Sequence, residues 1–454
     1  PMLIDTGNYT PPRNELEQQL CHIWQAVLGL DKVGIHDNFF RIGGNSINAI
    51  RLIAKASTLL DKDFSLAELF TYPTVAGLSH HLQVMVGSEV LLIPSRDKRV
   101  LSPLSFAQER LWFLERFEAG SDTYHMPYLV QLQSTTNAEL LLAAINQLAQ
   151  RHPVLNSVYL EAESGEGYTQ ERESPLKYQV QQCASKTELE QSVRLEIQTS
   201  FNLSEQAPLR LCRYDVDDSR YLLLMWHHIA FDGWSTEIFI DELMEFYQAL
   251  DAGIEPELTE LSISYSDFAI WQRDYLQGEV LKGQLNYWRA QLADIEILNL
   301  PTDKTRPTQV DYCGADFEQV LAVSLSNDLR ALARAQNTTL FTVMLSAFYL
   351  TLSQLCHQED IIVGAPSDNR HLAQTQSLIG FFVNSLALRT QVSPHLTCSD
   401  LIAQVDKCVQ GARIHQDLPF DKLVNELGVE RDLSRHPIFQ VMFSVQSFSA
   451  RVKS

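Results

Sequence analysis

The sequence predicts a multidomain chain: a small all-α bundle followed by a larger mixed α/β domain. Three observations carry this. At 454 residues the chain exceeds what one hydrophobic core usually serves. Residues 12–82 hold helical apolar spacing and no alternating strand pattern. Past residue 100, continuous apolar runs of strand length alternate with amphipathic helical stretches.

In the first region, Glu15 to Leu28 sets Leu16, Leu20, Ile23, Trp24 and Val27 on one helical face, and Gly29 ends it. A loop through Gly34 and Asp37 leads to Phe39-Phe40 and Gly43-Gly44. A second helix starts at Ser46, and two short helical pieces follow, Leu66–Phe70 and Val75–Leu82, parted at Pro73. Residues 83–100 mix Gly, Pro, Ser and charges and read as a linker, with its apolar Val90–Ile93 expected to lie against a neighbouring domain. Beyond it, Arg220–His227 reads as a buried strand and Thr236–Leu250 as the amphipathic helix after it. Asp360–Gly364 and Phe439–Val445 read as further strands, and Leu140–Arg151, Leu325–Gln336 and Phe341–Leu355 as helices.

Composition narrows the partners. Apolar residues are 45% and charged residues 20% of the chain, an ordinary globular balance. Net charge is −21, from 35 basic against 56 acidic side chains, which disfavours nucleic acid and anionic membrane surfaces. No apolar run is long enough to cross a bilayer, and no secretory signal opens the chain. The first residue is Pro, which reads as a cut from a longer chain. The seven cysteines are scattered with no C-x-x-C pair, as expected of reduced, mostly buried thiols in a cytoplasmic protein.

Two stretches carry chemistry. The first is D37-N-F-F-R-I-G-G-N-S46. Two glycines permit a tight turn before Ser46 at a helix start, where free amides and the dipole favour an attached phosphodiester. A plain N-cap serine is the bland alternative. A nucleophile elbow would need Gly where Asn48 stands. The second is W226-H-H-I-A-F-D-G-W-S235, at a strand end before a helix. Neighbouring strand residues face opposite sides, so His227 and His228 do not readily share a metal. They are polar fillers with Asp232 a helix cap, or one of them is an imidazole poised to share a proton. In the second case Asp232 fixes the loop, through an ion pair, and Gly233 lets the backbone turn.

The first stretch resembles the D-x-F-F-x-x-G-G-x-S signature of peptidyl carrier proteins, and the second the HHxxxDG signature of the chloramphenicol-acetyltransferase-like superfamily. Further motifs narrow the latter to condensation domains of nonribosomal peptide synthetases: S105-F-A-Q-E-R-L-W112, Y265-S-D-F-A-I-W271, I379-G-F-F-V-N384, H415-Q-D-L-P-F420 and R431-D-L-S-R-H-P-I-F439, in family order. R151-H-P-V-L-N156-S departs from the family's RHExLRT at Asn156, where arginine is usual.

The resemblance implies a four-helix carrier bundle over residues 12–82, a linker over 83–100, and a two-lobed α/β condensation domain. Its lobes would span residues 101–275 and 276–454, with a boundary near 273–283 and a C-terminal lobe shorter than the family's. It implies 4′-phosphopantetheine on Ser46 and an active site between the lobes, built from His228 with His227, Asp232 and Gly233, and Asn384 as a secondary residue. No metal is implied. The implied reaction is attack of an acceptor amine on a donor thioester. The implied partners are carrier-tethered substrates, an upstream adenylation domain, a downstream acceptor carrier module and a phosphopantetheinyl transferase. Epimerisation of a carrier-bound residue and a non-catalytic docking platform are the alternatives.

Overall fold

The computed structural model describes residues 9–40, 42–44, 48–49, 51–53, 55–56, 69, 72–84, 92–96, 101–117, 122–308, 314–428 and 434–446. The chain falls into two compact units. One comprises Leu92–Leu281 with Gln374–Val383, and the rest of the chain forms the other.

At the N-terminus, Asn14 caps α1 (Glu15–Leu28) by accepting from the Glu17 amide, and Gly29 ends it in a left-handed conformation at φ 66°. Leu20, Ile23 and Trp24 are buried as the spacing predicts, while Leu16 and Val27 lie partly buried at the rim. Trp24 meets Phe39 edge-on at 5.1 Å, and Leu52, Leu69, Val75 and Leu78 complete this core. The last helix, α2, spans Val75–Val84. Two further expected helices are described only at scattered positions, and Ser46 lies outside the described residues.

The first unit starts at Leu92. There Ile93 is buried, and its backbone N–H and carbonyl bond the Gln374 side chain at 2.9 and 3.1 Å. After β1 (Ser102–Pro103) and α3 (Phe106–Phe117) comes β2 (His125–Leu132). Helix α4 (Ala138–Arg151) follows, then β3 (Ser157–Glu161), β4 (Gly167–Glu171), β5 (Tyr178–Cys183) and α5 (Lys186–Gln198). The hairpin β6 (Leu209–Val216) and β7 (Ser219–His227) leads to α6 (Gly233–Ala252) and α7 (Tyr265–Tyr275). One sheet runs β1-β4-β3 and the other β2-β7-β6-β5, with only β5 and β6 parallel in the second. The central strand β7 is buried from Tyr221 onward, which is why its apolar run does not alternate.

The other unit adds α8 (Gly278–Gln291, which starts in the first unit), α9 (Val323–Ala335), α10 (Leu340–Cys356), β8 (Asp360–Ser367), β9 (Asn384–Gln391), α11 (Cys398–Ile414) and α12 (Phe420–Leu427). Strands β8 and β9 pair antiparallel. The Phe439–Val445 segment departs from the sequence expectation. Among the described residues it makes one parallel bridge, Met442 to Gly364, through bonds of 2.9 and 2.8 Å on the Gly364 amide and carbonyl. The next β8 residue facing that edge is Pro366, which has no N–H to extend a ladder. Phe439 also sits so close over Gly364 that a Cβ there would stand 2.4 Å from its ring.

Candidate functional site

Strand β7 ends at His227, and a single 3₁₀ turn, His228–Ala230, separates it from Asp232 at the cap of α6. The two histidines diverge. His227 is fully buried, whereas His228 is only partly covered. In His227, Nδ1 accepts the Ile229 amide at 3.1 Å, so the proton sits on Nε2, which faces Glu115 Oε2 at 3.4 Å. Burial holds this imidazole below its ordinary value, with the Glu115 contact opposing. In His228, Nδ1 lies 2.7 Å from the Phe231 carbonyl, an acceptor only, so Nδ1 carries the proton. Its Nε2 lone pair is left without a hydrogen-bond partner among the described residues. The edge of Phe381, 4.8 Å between centroids, holds the ring plane.

Asp232 is buried and accepts hydrogen bonds on both carboxylate oxygens. Oδ1 accepts from the Ser235 amide and hydroxyl at 2.9 and 2.8 Å, and Oδ2 accepts from the Phe382 amide at 3.1 Å. It therefore caps α6 and holds the segment that carries Phe381. Gly233 departs from the reason expected for it. Its φ is not positive, and a Cβ there would meet nothing within 4 Å. The backbone does not need glycine at this position; glycine leaves open space beside it.

Four of the quoted motifs, those at 105–112, 151–157, 265–271 and 379–384, meet around this loop. Gln108 Nε2 donates to the Ile229 carbonyl at 3.2 Å and to the Tyr159 hydroxyl at 3.3 Å. The Tyr265 hydroxyl bonds Ser105 Oγ at 2.9 Å and donates to the Phe381 carbonyl at 2.5 Å. Ser235 Oγ, whose proton goes to Asp232, accepts the Gly380 amide at 3.1 Å. Glycine is required there, because a Cβ would stand 2.0 Å from the Tyr265 ring. His152 accepts the Ile379 amide at 3.3 Å while its Nε2 meets Glu242 at 2.7 Å, and Arg151 also grips that carboxylate. Glu115, Gln108, His152, Tyr265 and Phe381 were not singled out from sequence; all but Glu115 lie inside the quoted motifs.

Asn384 is placed differently from expectation. Its Nδ2 donates to the Gln416 and Leu418 carbonyls at 2.8 and 2.7 Å, and Oδ1 accepts from the Phe420 amide at 3.1 Å. Both amide protons are used in tying the 415–420 motif to β9, so none is left to polarise a substrate carbonyl. Asn156 spends its Nδ2 on the Arg172 and Ser174 carbonyls at 3.3 and 3.0 Å.

In the N-terminal bundle, the loop ahead of Ser46 is tightly fastened. Asp37 Oδ2 accepts from the Gly34 amide at 2.7 Å, the Phe39 amide donates to the Pro73 carbonyl at 2.7 Å, and the Gly44 amide donates to the Phe39 carbonyl at 2.9 Å. Gly43 takes φ 112°, and a Cβ on Gly44 would stand 2.4 Å from the Phe39 ring. Ser46 itself lies outside the described residues. The buried thiols are unsuited to acyl transfer. Burial pushes Cys21 up to about 11 and Cys212 to about 12, and the six described cysteines are all free.

Comparison with known proteins agrees with this geometry. Residues 98–454 match the condensation domain family and residues 18–82 the phosphopantetheine attachment site family. A linear gramicidin synthase of Brevibacillus parabrevis is 38% identical over 98% of this chain and 6% of its own length. The N-(5-amino-5-carboxypentanoyl)-L-cysteinyl-D-valine synthase of Amycolatopsis lactamdurans is 36% identical over 98% of this chain and 12% of its own length. The chain thus spans a small part of these relatives. Among solved structures, the X-domain from teicoplanin biosynthesis in complex with OxyB superposes with a TM-score of 0.72 at 24% identity, over 79% of this chain and 80% of that one. The first condensation domain of the CDA synthetase superposes at 0.59 with 18% identity, over 73% and 79%. The fold is therefore the chloramphenicol-acetyltransferase-like one, and the chain belongs to the condensation domain family, with a phosphopantetheine attachment domain ahead of it.

Proposed function

We propose that the chain works in nonribosomal peptide synthesis, forming an amide between two carrier-tethered substrates. The observation that carries this is the tautomer of His228. Its Nδ1–H is committed to the Phe231 carbonyl, which leaves Nε2 as a lone pair on a partly exposed ring. When bound to Ser46, phosphopantetheine supplies the thiol that holds an acyl group as a thioester. The acceptor's amine nitrogen forms the C–N bond as the donor's C–S bond breaks. His228 Nε2 accepts the hydrogen bond of the attacking amine, and the proton ends on the departing thiol. Thioester aminolysis is downhill, so holding the two reactants in register supplies most of the acceleration. Asp232 keeps the loop in place, and the space beside Gly233 admits the reacting groups.

On this reading the partners are carrier-tethered donor and acceptor substrates, an upstream adenylation domain, a downstream acceptor carrier module and the transferase that loads Ser46. Six free cysteines, three of them buried, favour a cytoplasmic seat. Mass spectrometry after incubation with coenzyme A and a phosphopantetheinyl transferase tests the Ser46 assignment, expected as one added phosphopantetheine on the peptide containing Ser46. Incubation with two loaded carriers tests the reaction. A new amide supports it, whereas inversion of the carrier-bound residue without an amide sinks it.

A further inference from the structure

A cavity of about 340 Å³ opens beside the buried histidine, with Trp112, Glu115, Arg116, Tyr159, Glu161 and Phe201 in its wall. Three of these are charged. Arg116 and Glu161 pair at 2.8 Å, both about half exposed, and the guanidinium lies over the Trp112 ring at 4.8 Å. Arg210, over the Phe201 ring at 4.1 Å, is matched by Glu196 at 3.2 Å. Glu115 is the charge left over. Its side chain is 10% exposed, and among the described residues its one polar contact is His227 Nε2 at 3.4 Å. That imidazole is neutral, because its Nδ1 accepts the Ile229 amide. A single neutral N–H does not balance a largely desolvated carboxylate.

We propose that this cavity is a subsite for a primary ammonium group on a short apolar stem, with Glu115 as the counter-ion and the Trp112 and Phe201 rings as flanks. The wall's three charges sum to one negative, which favours a cation and repels carboxylates and phosphates. The aromatic walls accept aliphatic carbon, and a cavity of this volume takes an aminoacyl-sized group. Two sources share the chemistry: the α-ammonium of an acceptor aminoacyl group before it loses its proton and moves to His228 to attack, and the ammonium of a basic side chain. Only the naming of an acceptor rests on the function proposed above.

Calorimetric titration of the full chain with n-butylammonium chloride tests the subsite, with butan-1-ol as the neutral isostere. Saturable binding is expected, at least tenfold weaker for the alcohol and at least tenfold weaker in Glu115→Gln. Ser204→Trp, at an exposed wall position, keeps Glu115 intact but fills the space, and binding is expected to vanish. Equal binding of alcohol and ammonium, no saturable heat in the wild type, or unchanged titrations in both variants overturns the proposal. Should Glu115→Gln lose cooperative melting, Ser204→Trp decides. Titration with L-alaninamide and with Nα-acetyl-L-lysinamide assigns the source to whichever binds tighter. If neither binds more tightly than Nα-acetyl-norleucinamide, the subsite does not exist. Absence of amide formation with loaded carriers would overturn the reaction but leave this titration unaffected.

Discussion

The Tyr265 hydroxyl donates to the Phe381 carbonyl at 2.5 Å, and this bond links a helix of the first unit to the residue that walls the His228 ring. Tyr265→Phe removes that donor and leaves a carbonyl unpaired in a close-packed place, so it is expected to lower stability by about 1–2 kcal/mol. It is also expected to slow amide formation, because the ring beside His228 loses its anchor. Chemical denaturation and a carrier-loaded product assay read the two effects; a variant slow in neither removes the anchoring role.

His228→Ala is expected to cut amide formation by roughly a hundredfold or more, the usual range for a proton-sharing group. Melting should change little, since the ring makes one hydrogen bond at a partly exposed position. Unaltered turnover would reduce His228 to a structural residue and favour a docking platform.

Asn384→Ala is expected to act on stability. It leaves the Gln416 and Leu418 carbonyls and the Phe420 amide without their partner and costs about 1–3 kcal/mol. Once corrected for the unfolded fraction, specific activity should be retained. A full-stability variant that had lost activity would return Asn384 to the catalytic group.

Acid should weaken the fold through buried imidazoles. Burial holds both His125 and His227 below their ordinary values, so both are neutral when folded. The unfolded chain takes up those protons near a pH of about 6.5. Their contribution is therefore complete above about 6.5 and is lost as pH falls from there toward the folded values. Melting temperature measured across that window should decline, and His125→Asn should make the decline shallower. An equally steep decline in the variant would show that other groups govern it.

Gly233→Ala is expected to leave melting within about 0.5 kcal/mol of the parent, because the backbone is ordinary and the added methyl meets nothing. Turnover of bulky substrates is expected to fall while small ones are spared. A large loss of stability would restore the conformational reason for glycine.

The loop from His227 to Gly233 was legible because its signals are local. An unbroken apolar run marks a central strand, and Asp three residues before Ser235 marks the helix cap that the structure shows. What sequence did not reveal was who bonds to whom across the fold. Glu115 and His227 stand 112 residues apart, and no local pattern pairs them. Asn384 has the right chemistry for a polarising amide, but its protons go to carbonyls 32 and 34 residues onward. The Phe439–Val445 run has strand-like side chains, yet pairing depends on the neighbouring edge, where Pro366 interrupts the donors.

Ten residues, Gln374–Val383, belong with the unit built otherwise from Leu92–Leu281. Anyone exchanging halves between condensation domains thus faces a discontinuous graft. A splice at position 281 alone would hand the recipient an imidazole without its aromatic wall. The smallest transferable piece is two strips of sequence carried together.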